Sequence, residues 1–178
     1  MRLRGIWQHG GVVFYNSVAT HLPTYALRNA VLRAWGAQLG SSVAIAAGCT
    51  VLGIEALRIG DRSRVGRRCL LDARGGLALG SDVEVSDDVQ FITAHHEPNS
   101  DDFRAAIGSI SVEDYAWIAS RSTVLEGVII GLGSVVGACS LVRASTPARS
   151  VVVGIPARRV AERDSRLGYS LGTRGARA

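Results

Sequence analysis

A chain of 178 residues with 47% hydrophobic content and charges of both signs is long enough for one folded domain and leaves little for a second. Its formal charge of +5 comes from arginine alone, lysine being absent, and much of the excess lies after Arg143, which suits a phosphate-bearing ligand. The arginines are not interleaved with aromatics and form no amphipathic stripe, so nucleic acid and a membrane surface are set aside as partners.

The first 27 residues carry Arg2 and Arg4 and then a long uncharged stretch. Gln8, His9, Asn16 and three glycines interrupt it too often for a signal-peptide core, so it reads as part of the mature protein. Pro23 opens a predicted helix in which Leu27, Val31 and Trp35 share a face, with Gly36 as its stop signal. Residues 1–38 form an N-terminal cap on this reading.

From Leu39 the dominant feature is a period of six. Leu39, Ile45, Val51 and Leu57 are followed by Ile59, Val65, Leu71 and Leu77, then Leu79, Val85 and Phe91. Val112, Ile118, Val124, Ile130, Val136 and Val142 complete the series, and all seventeen are Leu, Ile, Val or Phe. A step of six fits neither a 3.6-residue helix nor a two-residue strand. It fits short strands joined by corners, with one aliphatic side chain per hexapeptide pointing into a three-sided prism. The position two before it is often small (Cys49, Cys69, Ala116, Ser122, Ser134, Ser140), and Gly40, Gly60, Gly66, Gly80, Gly131 and Gly137 stand where a side chain would crowd a corner.

The phase jumps by two residues at Leu57/Ile59, Leu77/Leu79 and Ile110/Val112. Two 20-residue coils follow, then a longer coil that must extrude a polar loop over about residues 94–109, then two tight coils. The predicted fold is all-β: a left-handed parallel β-helix, or triangular solenoid, of about five coils over residues 39–147, with an N-terminal helical cap and an extruded loop. Over residues 148–178, Val151-Val152-Val153 reads as a strand, Pro156 to Arg163 as a short turn or helix, and the Gly/Arg-rich end after Asp164 as a flexible tail. The uncharged run 127–142 is too short for an integral membrane segment.

Cys49, Cys69 and Cys139 are odd in number with no CxxC pair, which points to a reducing, cytoplasmic setting. Cys49 and Cys69 occupy equivalent small, buried places one coil apart, and Cys139 lies on a corner, so none is read as a nucleophile. Two of the four histidines are adjacent in the extruded loop, in Thr93-Ala94-His95-His96-Glu97-Pro98, with Asp101 and Asp102 after them. Imidazole suits removal of an alcohol proton near neutral pH, and a nearby carboxylate can hold its tautomer. Long loops on rigid scaffolds commonly carry function.

Residues 79–160 resemble the hexapeptide-repeat O-acetyltransferases, a family that includes galactoside, maltose and capsule or colanic-acid acetyltransferases. The carriers are the loop ITAHHEPNSDDF, the segment Val112-Glu113-Asp114-Tyr115-Ala116-Trp117-Ile118-Ala119-Ser120, and Val153-Gly154-Ile155-Pro156-Ala157-Arg158. His21-Leu22-Pro23 and Leu71-Asp72-Ala73-Arg74-Gly75-Gly76 are similar to the capsule-type branch, which implies a saccharide acceptor and a place in polysaccharide biosynthesis.

The resemblance implies transfer of an acetyl group from acetyl-CoA to a hydroxyl, with no metal required, in a homotrimer whose sites lie between subunits. One loop histidine acts as general base in these families; His96, followed by Glu97, matches that place best, and His95 is the nearest competitor. Trp117 matches a residue flanking the pantetheine arm, Ser120, Gly137 and Ala138 a backbone-lined channel, and Arg158 and Arg159 the basic residues near the adenosine 3′-phosphate. The chain departs from the pattern at Val142-Arg143-Ala144-Ser145, where relatives read Val-Thr-Lys-Asp, so Arg143 is the expected replacement cation. Asp87 and Asp88 are candidates for sugar hydroxyls. Rival readings are an N-acyltransferase acting on an amino sugar and a non-catalytic trimeric scaffold; a zinc-dependent β-helix carbonic anhydrase would need a third histidine downstream of the pair.

Overall fold

The structure, a computed structural model, describes residues 2–172. Its centre is a parallel β-solenoid of five complete turns and the start of a sixth, built on three faces. Face A stacks Gln38–Leu39, Leu57–Ile59, Leu77–Leu79, Ile110–Val112 and Ile129–Ile130; face C stacks Thr50–Leu52, Leu70–Asp72, Gln90–Ile92, Thr123–Leu125 and Leu141–Val142. Face B stacks Ala44–Ile45, Arg64–Val65, Glu84–Val85, Trp117–Ile118, Val135–Val136 and Ser150–Gly154, and ends with Ala157–Glu162 running antiparallel. Each turn visits A, B and C in that order, so the prism has an A/B edge, a B/C edge and a C/A edge.

Sixteen of the seventeen period-six residues are buried at 3% exposure or less, and Leu39 in the first turn packs half-buried against them. The two-residue phase jumps have a simple origin. Face A strands such as Leu57–Ile59 are three residues long and send both ends inward, the ordinary alternation of a strand. Ladder partners are accordingly twenty residues apart early in the stack, as in Ala44 with Arg64, and eighteen apart later, as in Trp117 with Val135.

The corners divide two jobs that one residue type might have done. Gly60 has an ordinary φ, but a Cβ there would lie 2.6 Å from the backbone of Gly80 in the next turn, so glycine serves close approach. The left-handed conformation falls instead on neighbouring non-glycine residues, among them Arg62, Asp82, Asp88, Tyr115 and Cys139.

The cap differs from its sequence expectation in instructive ways. Helix α1 spans Arg2–Ser17, a helix the sequence did not announce, and α2 spans Tyr25–Ala34 with the Thr24 side chain capping Leu27 N–H. The fully buried residues of α2 are Arg28, Asn29 and Leu32; of the predicted face, Val31 and Trp35 pack partly buried against the core, whereas Leu27 is exposed. The reason lies in the first turn. Neighbouring turns exchange backbone hydrogen bonds, as in Ala46 N–H to Val65 O and Arg62 N–H to Ser41 O, so the first-turn carbonyls that face the cap have no preceding turn to satisfy them. Cap side chains stand in for it: Asn29 donates to Val43 O at 2.8 Å, Arg28 Nε to Ile45 O at 2.9 Å, Thr20 to Cys49 O at 2.7 Å and Asn16 to Val51 O at 2.9 Å.

At the other end, residues expected as a turn or helix form the strand Ala157–Glu162. The tail expected to be flexible is instead a strap as far as residue 172, running back along the A/B edge; residues 173–178 lie outside the described residues. Arg163 Nη1 donates to Tyr115 O and Gly133 O, Tyr169 meets Tyr115 edge-on at 5.4 Å, and buried Leu167 sits where Gly133 has no side chain. Leu171 N donates to Asp82, whose carboxylate also binds Arg62 at 2.7 Å.

Candidate functional site at the extruded hairpin

The polar insertion leaves the C/A edge after Gln90–Ile92 and folds as an antiparallel hairpin, Ala94–His96 against Ala105–Ile107. Its root is tied to the turn beneath. Buried Asp72 accepts Thr93 N–H at 3.1 Å and grips Arg74 through both carboxylate oxygens, at 2.8 and 3.0 Å, while Thr93 Oγ1 accepts Gly75 N–H. Burial alone would raise the Asp72 pKa; the Arg74 and Thr93 donors outweigh it and hold the carboxyl below its ordinary range.

Adjacent residues of a strand project to opposite sides, and the two histidines accordingly find different partners. His96 Nδ1 lies 2.8 Å from Phe103 O, and its ring stacks on Phe103 with centroids 4.6 Å apart and planes 4° off parallel. A carbonyl only accepts, so this nitrogen carries a proton, and in the neutral ring the lone pair lies on Nε2. His95 Nδ1 faces Glu126 Oε1 at 3.0 Å, on the C/A edge of the following turn. Glu97 was the carboxylate expected beside the base; it pairs instead with Arg104 across the hairpin at 2.9 Å. Glu126 is the carboxylate that sequence reading missed.

The remaining candidates lie elsewhere on the prism. Trp117 points outward from face B, 44% exposed, with its indole N–H on Ser86 Oγ at 3.2 Å. Face B is opposite the C/A edge in a three-sided prism, so one chain does not bring Trp117 and the histidines together. Ser120, Gly137 and Ala138 lie on or beside the B/C edge, where a Gly137 side chain would meet Val153 of the same chain. Asp87 and Asp88 share that edge. Asp87 accepts Arg67 N–H at 2.7 Å, and Asp88 is paired with Arg68, whose hydrogen bonds depress its pKa. Arg143 is exposed on the C/A edge beyond Glu126, and Arg158 and Arg159 are exposed at the margin of face B, Arg159 pairing with Glu162.

Cys49 and Cys69 are buried and donate to carbonyls of the next turn, Gly66 and Ser86. The neighbouring Cys49 thiol, together with burial, pushes the Cys69 thiol well above its usual range. Among the described residues no group of three or more His, Cys, Asp or Glu is placed to hold a metal ion, and no helix is long and apolar enough to cross a membrane.

No family model matches the chain. It is 33% identical over 139 residues to WcaF of Escherichia coli K12, named as a colanic acid biosynthesis acetyltransferase, covering 78% of this chain and 76% of that protein. A hexapeptide-repeat acetyltransferase of Vibrio cholerae solved with acetyl coenzyme A superposes with a TM-score of 0.81 at 24% identity, over 92% of this chain and 89% of the other. Galactoside acetyltransferase in complex with coenzyme A gives 0.73 at 19% identity, over 93% and 83%. At these identities the two solved structures speak to the fold.

Proposed function

The chain belongs to the hexapeptide-repeat acetyltransferases, and from that premise we propose that it acetylates a hydroxyl of a saccharide from acetyl-CoA, with His96 as general base. The saccharide follows from the named role of the E. coli relative in colanic acid biosynthesis. Acetyl-CoA supplies the activated acyl group as a thioester. His96 Nε2 takes the acceptor O–H proton as the oxygen attacks the thioester carbonyl carbon, and returns it to the departing sulfur, leaving an ester and free thiol.

The observation that carries this reading is the clamp on His96. The Phe103 carbonyl fixes the Nδ1–H tautomer, and the stacked Phe103 ring holds the plane, so the basic nitrogen is both available and aimed. Its place in the loop, followed by Glu97, is the second support.

The separation of the candidates supports reading the assembly as a homotrimer. Donor-side Trp117 on face B and acceptor-side His96 on the C/A edge can line one cleft only if the edge of one copy meets face B of the next. Each of three such clefts then uses the hairpin of one chain and the face of another, with Arg143, Arg158 and Arg159 as cations for the donor's phosphates.

Thiol release from acetyl-CoA, measured against a panel of sugars and glycans, tests the reading. His96→Ala is expected to keep donor binding and lose roughly 10² to 10⁴ in turnover. Unchanged turnover in that variant removes His96 from the role.

A further inference from the structure

Where the cap meets face B, the chain forms a groove that the chemistry described so far does not use. At the cap end it is a hollow of about 170 Å³, lined among others by His21, Tyr25, Arg28, Ala46 and Arg67. Tyr25 and Ala46 also line a second hollow of about 210 Å³, which continues along face B to Arg64 and Glu84 beneath the Leu171 end of the strap. Joined, the two reach the lower end of the roughly 300–1,000 Å³ of small-molecule sites. His21-Leu22-Pro23, a motif with no part in the transfer step, forms a wall of the cap end.

Arg28 marks that end as a place for an anion. It is 4% exposed and lies over the Tyr25 ring, 5.0 Å from its centroid. Nε donates to Ile45 O at 2.9 Å and Nη1 to Leu22 O, both neutral acceptors, while Nη2 bonds nothing among the described residues. A guanidinium does not shed its proton, so burial without a carboxylate leaves its charge only partly answered. Arg67 and His21 stand exposed beside it, and neither side chain makes a hydrogen bond or ion pair among the described residues. Asp87, the acid nearby on the B/C edge, accepts the Arg67 backbone N–H at 2.7 Å and is not part of the lining.

We propose that this groove seats the acceptor saccharide by an anionic group, phosphate or carboxylate, held by Arg28, Arg67 and His21, with sugar hydroxyls facing Glu84. The inference rests on the acetyl transfer proposed above. The order of charges sets the direction of the ligand. At the face B end Arg64 stands with Glu84, so cation and carboxylate offset each other, and Glu84 is left as an acceptor for hydroxyls. At the cap end no acid lines the hollow, so an anionic oxygen is favoured there. Glu84 is also the ladder partner of Trp117, so the groove opens beside the donor-side residue. An acceptor anchored at the cap presents its hydroxyls where the hairpin of a neighbouring copy would bring His96.

Equilibrium dialysis of the full chain, without coenzyme A, against labelled glucose 1-phosphate, glucuronate and glucose tests the proposal. At least one of the two anionic sugars is expected to bind tenfold or more tighter than glucose, and the two arms tell phosphate from carboxylate. Arg67→Gln/His21→Gln changes two exposed side chains, so the fold is retained, and it is expected to weaken the anionic sugars about tenfold with coenzyme A affinity unchanged. Glucose binding as tightly as both anionic sugars overturns the proposal, as does failure of both anionic sugars to bind. Anionic-sugar binding unchanged in the double variant overturns it by placing the anion elsewhere, and a matching loss of coenzyme A affinity overturns it by making the cations part of the donor site. Dialysis requires no turnover, and His96→Ala is expected to bind these sugars as wild type does. Failure of the groove and failure of the base assignment therefore appear in different measurements.

Discussion

The carboxylate of Asp72 receives the backbone N–H of Thr93 at 3.1 Å, one turn beneath the point where the histidine hairpin leaves the solenoid. The same buried carboxylate holds Arg74, so one side chain fixes both the root of the hairpin and the cation beside it. Asp72→Ala strands a buried N–H and releases half-exposed Arg74, and is expected to cost about 1.5–3 kcal/mol, the range for hydrogen bonds to a charged group. Thermal unfolding measures it. Because the folded-state pKa is depressed, this contribution is present above the ordinary carboxylate range, about pH 4, and is lost as pH falls through the lower folded value. The gap in melting temperature between wild type and variant should be flat above about pH 5 and close in acid.

Glu126 orients His95, not His96, and this separates the roles of the two imidazoles. Glu126→Gln keeps an acceptor for the His95 ring and removes only the charge. Steady-state kinetics should place its kcat within about tenfold of wild type, against the far larger loss in His96→Ala. A large loss in Glu126→Gln alongside unchanged turnover in His96→Ala would move the base to His95.

Glu84 is partly buried on face B, beside Arg64 and the Leu171 end of the strap. Burial raises its pKa, with Arg64 opposing. A carboxyl whose folded-state pKa is raised stabilises the fold when protonated and loses that contribution as pH rises. Glu84→Gln is therefore expected to raise the melting temperature at pH 7–8 and leave it unchanged near pH 4. The gain should be small, about 1–3 °C, since solvent still reaches the group.

A corner glycine and an open glycine of α1 should respond oppositely to alanine. A Cβ at Gly60 falls 2.6 Å from the Gly80 backbone, and the stacked turns must separate to admit it, at a cost of about 1–3 kcal/mol or more. Gly10 in α1 has nothing within 4 Å of the same atom, and Gly10→Ala should stabilise by roughly 0.5–1 kcal/mol. Denaturant unfolding of the two variants reads both signs.

The prism was legible because its rule is local. Every sixth side chain must fill the same interior, so Val51 and Val124 announce their places without reference to anything distant. The hairpin was legible as an interruption of that rule. What escaped was set by groups far apart in sequence. The inward face of α2 carries Arg28 and Asn29 beside Leu32 because they answer carbonyls of the first turn, a demand invisible to a helical wheel built on Leu27, Val31 and Trp35. Glu126 escaped because its partnership with His95 exists only once successive turns are stacked. The tail read as flexible from its glycines and arginines, yet Leu167, Tyr169 and Leu171 suffice to bind it along the A/B edge.

That strap makes the number of repeats a fixed quantity. Stacked coils add easily, since each touches only its neighbours and a duplicated hexapeptide triplet meets the same surfaces. Here the segment after Glu162 must travel back from the last coil to Asp82 in the third, a span matched to the coils it crosses. Inserting one more would lengthen that path by about 4.8 Å and pull Leu171 off its anchor. Duplication, the ordinary way solenoids change length, is thereby penalised in this lineage unless the terminal segment lengthens with it.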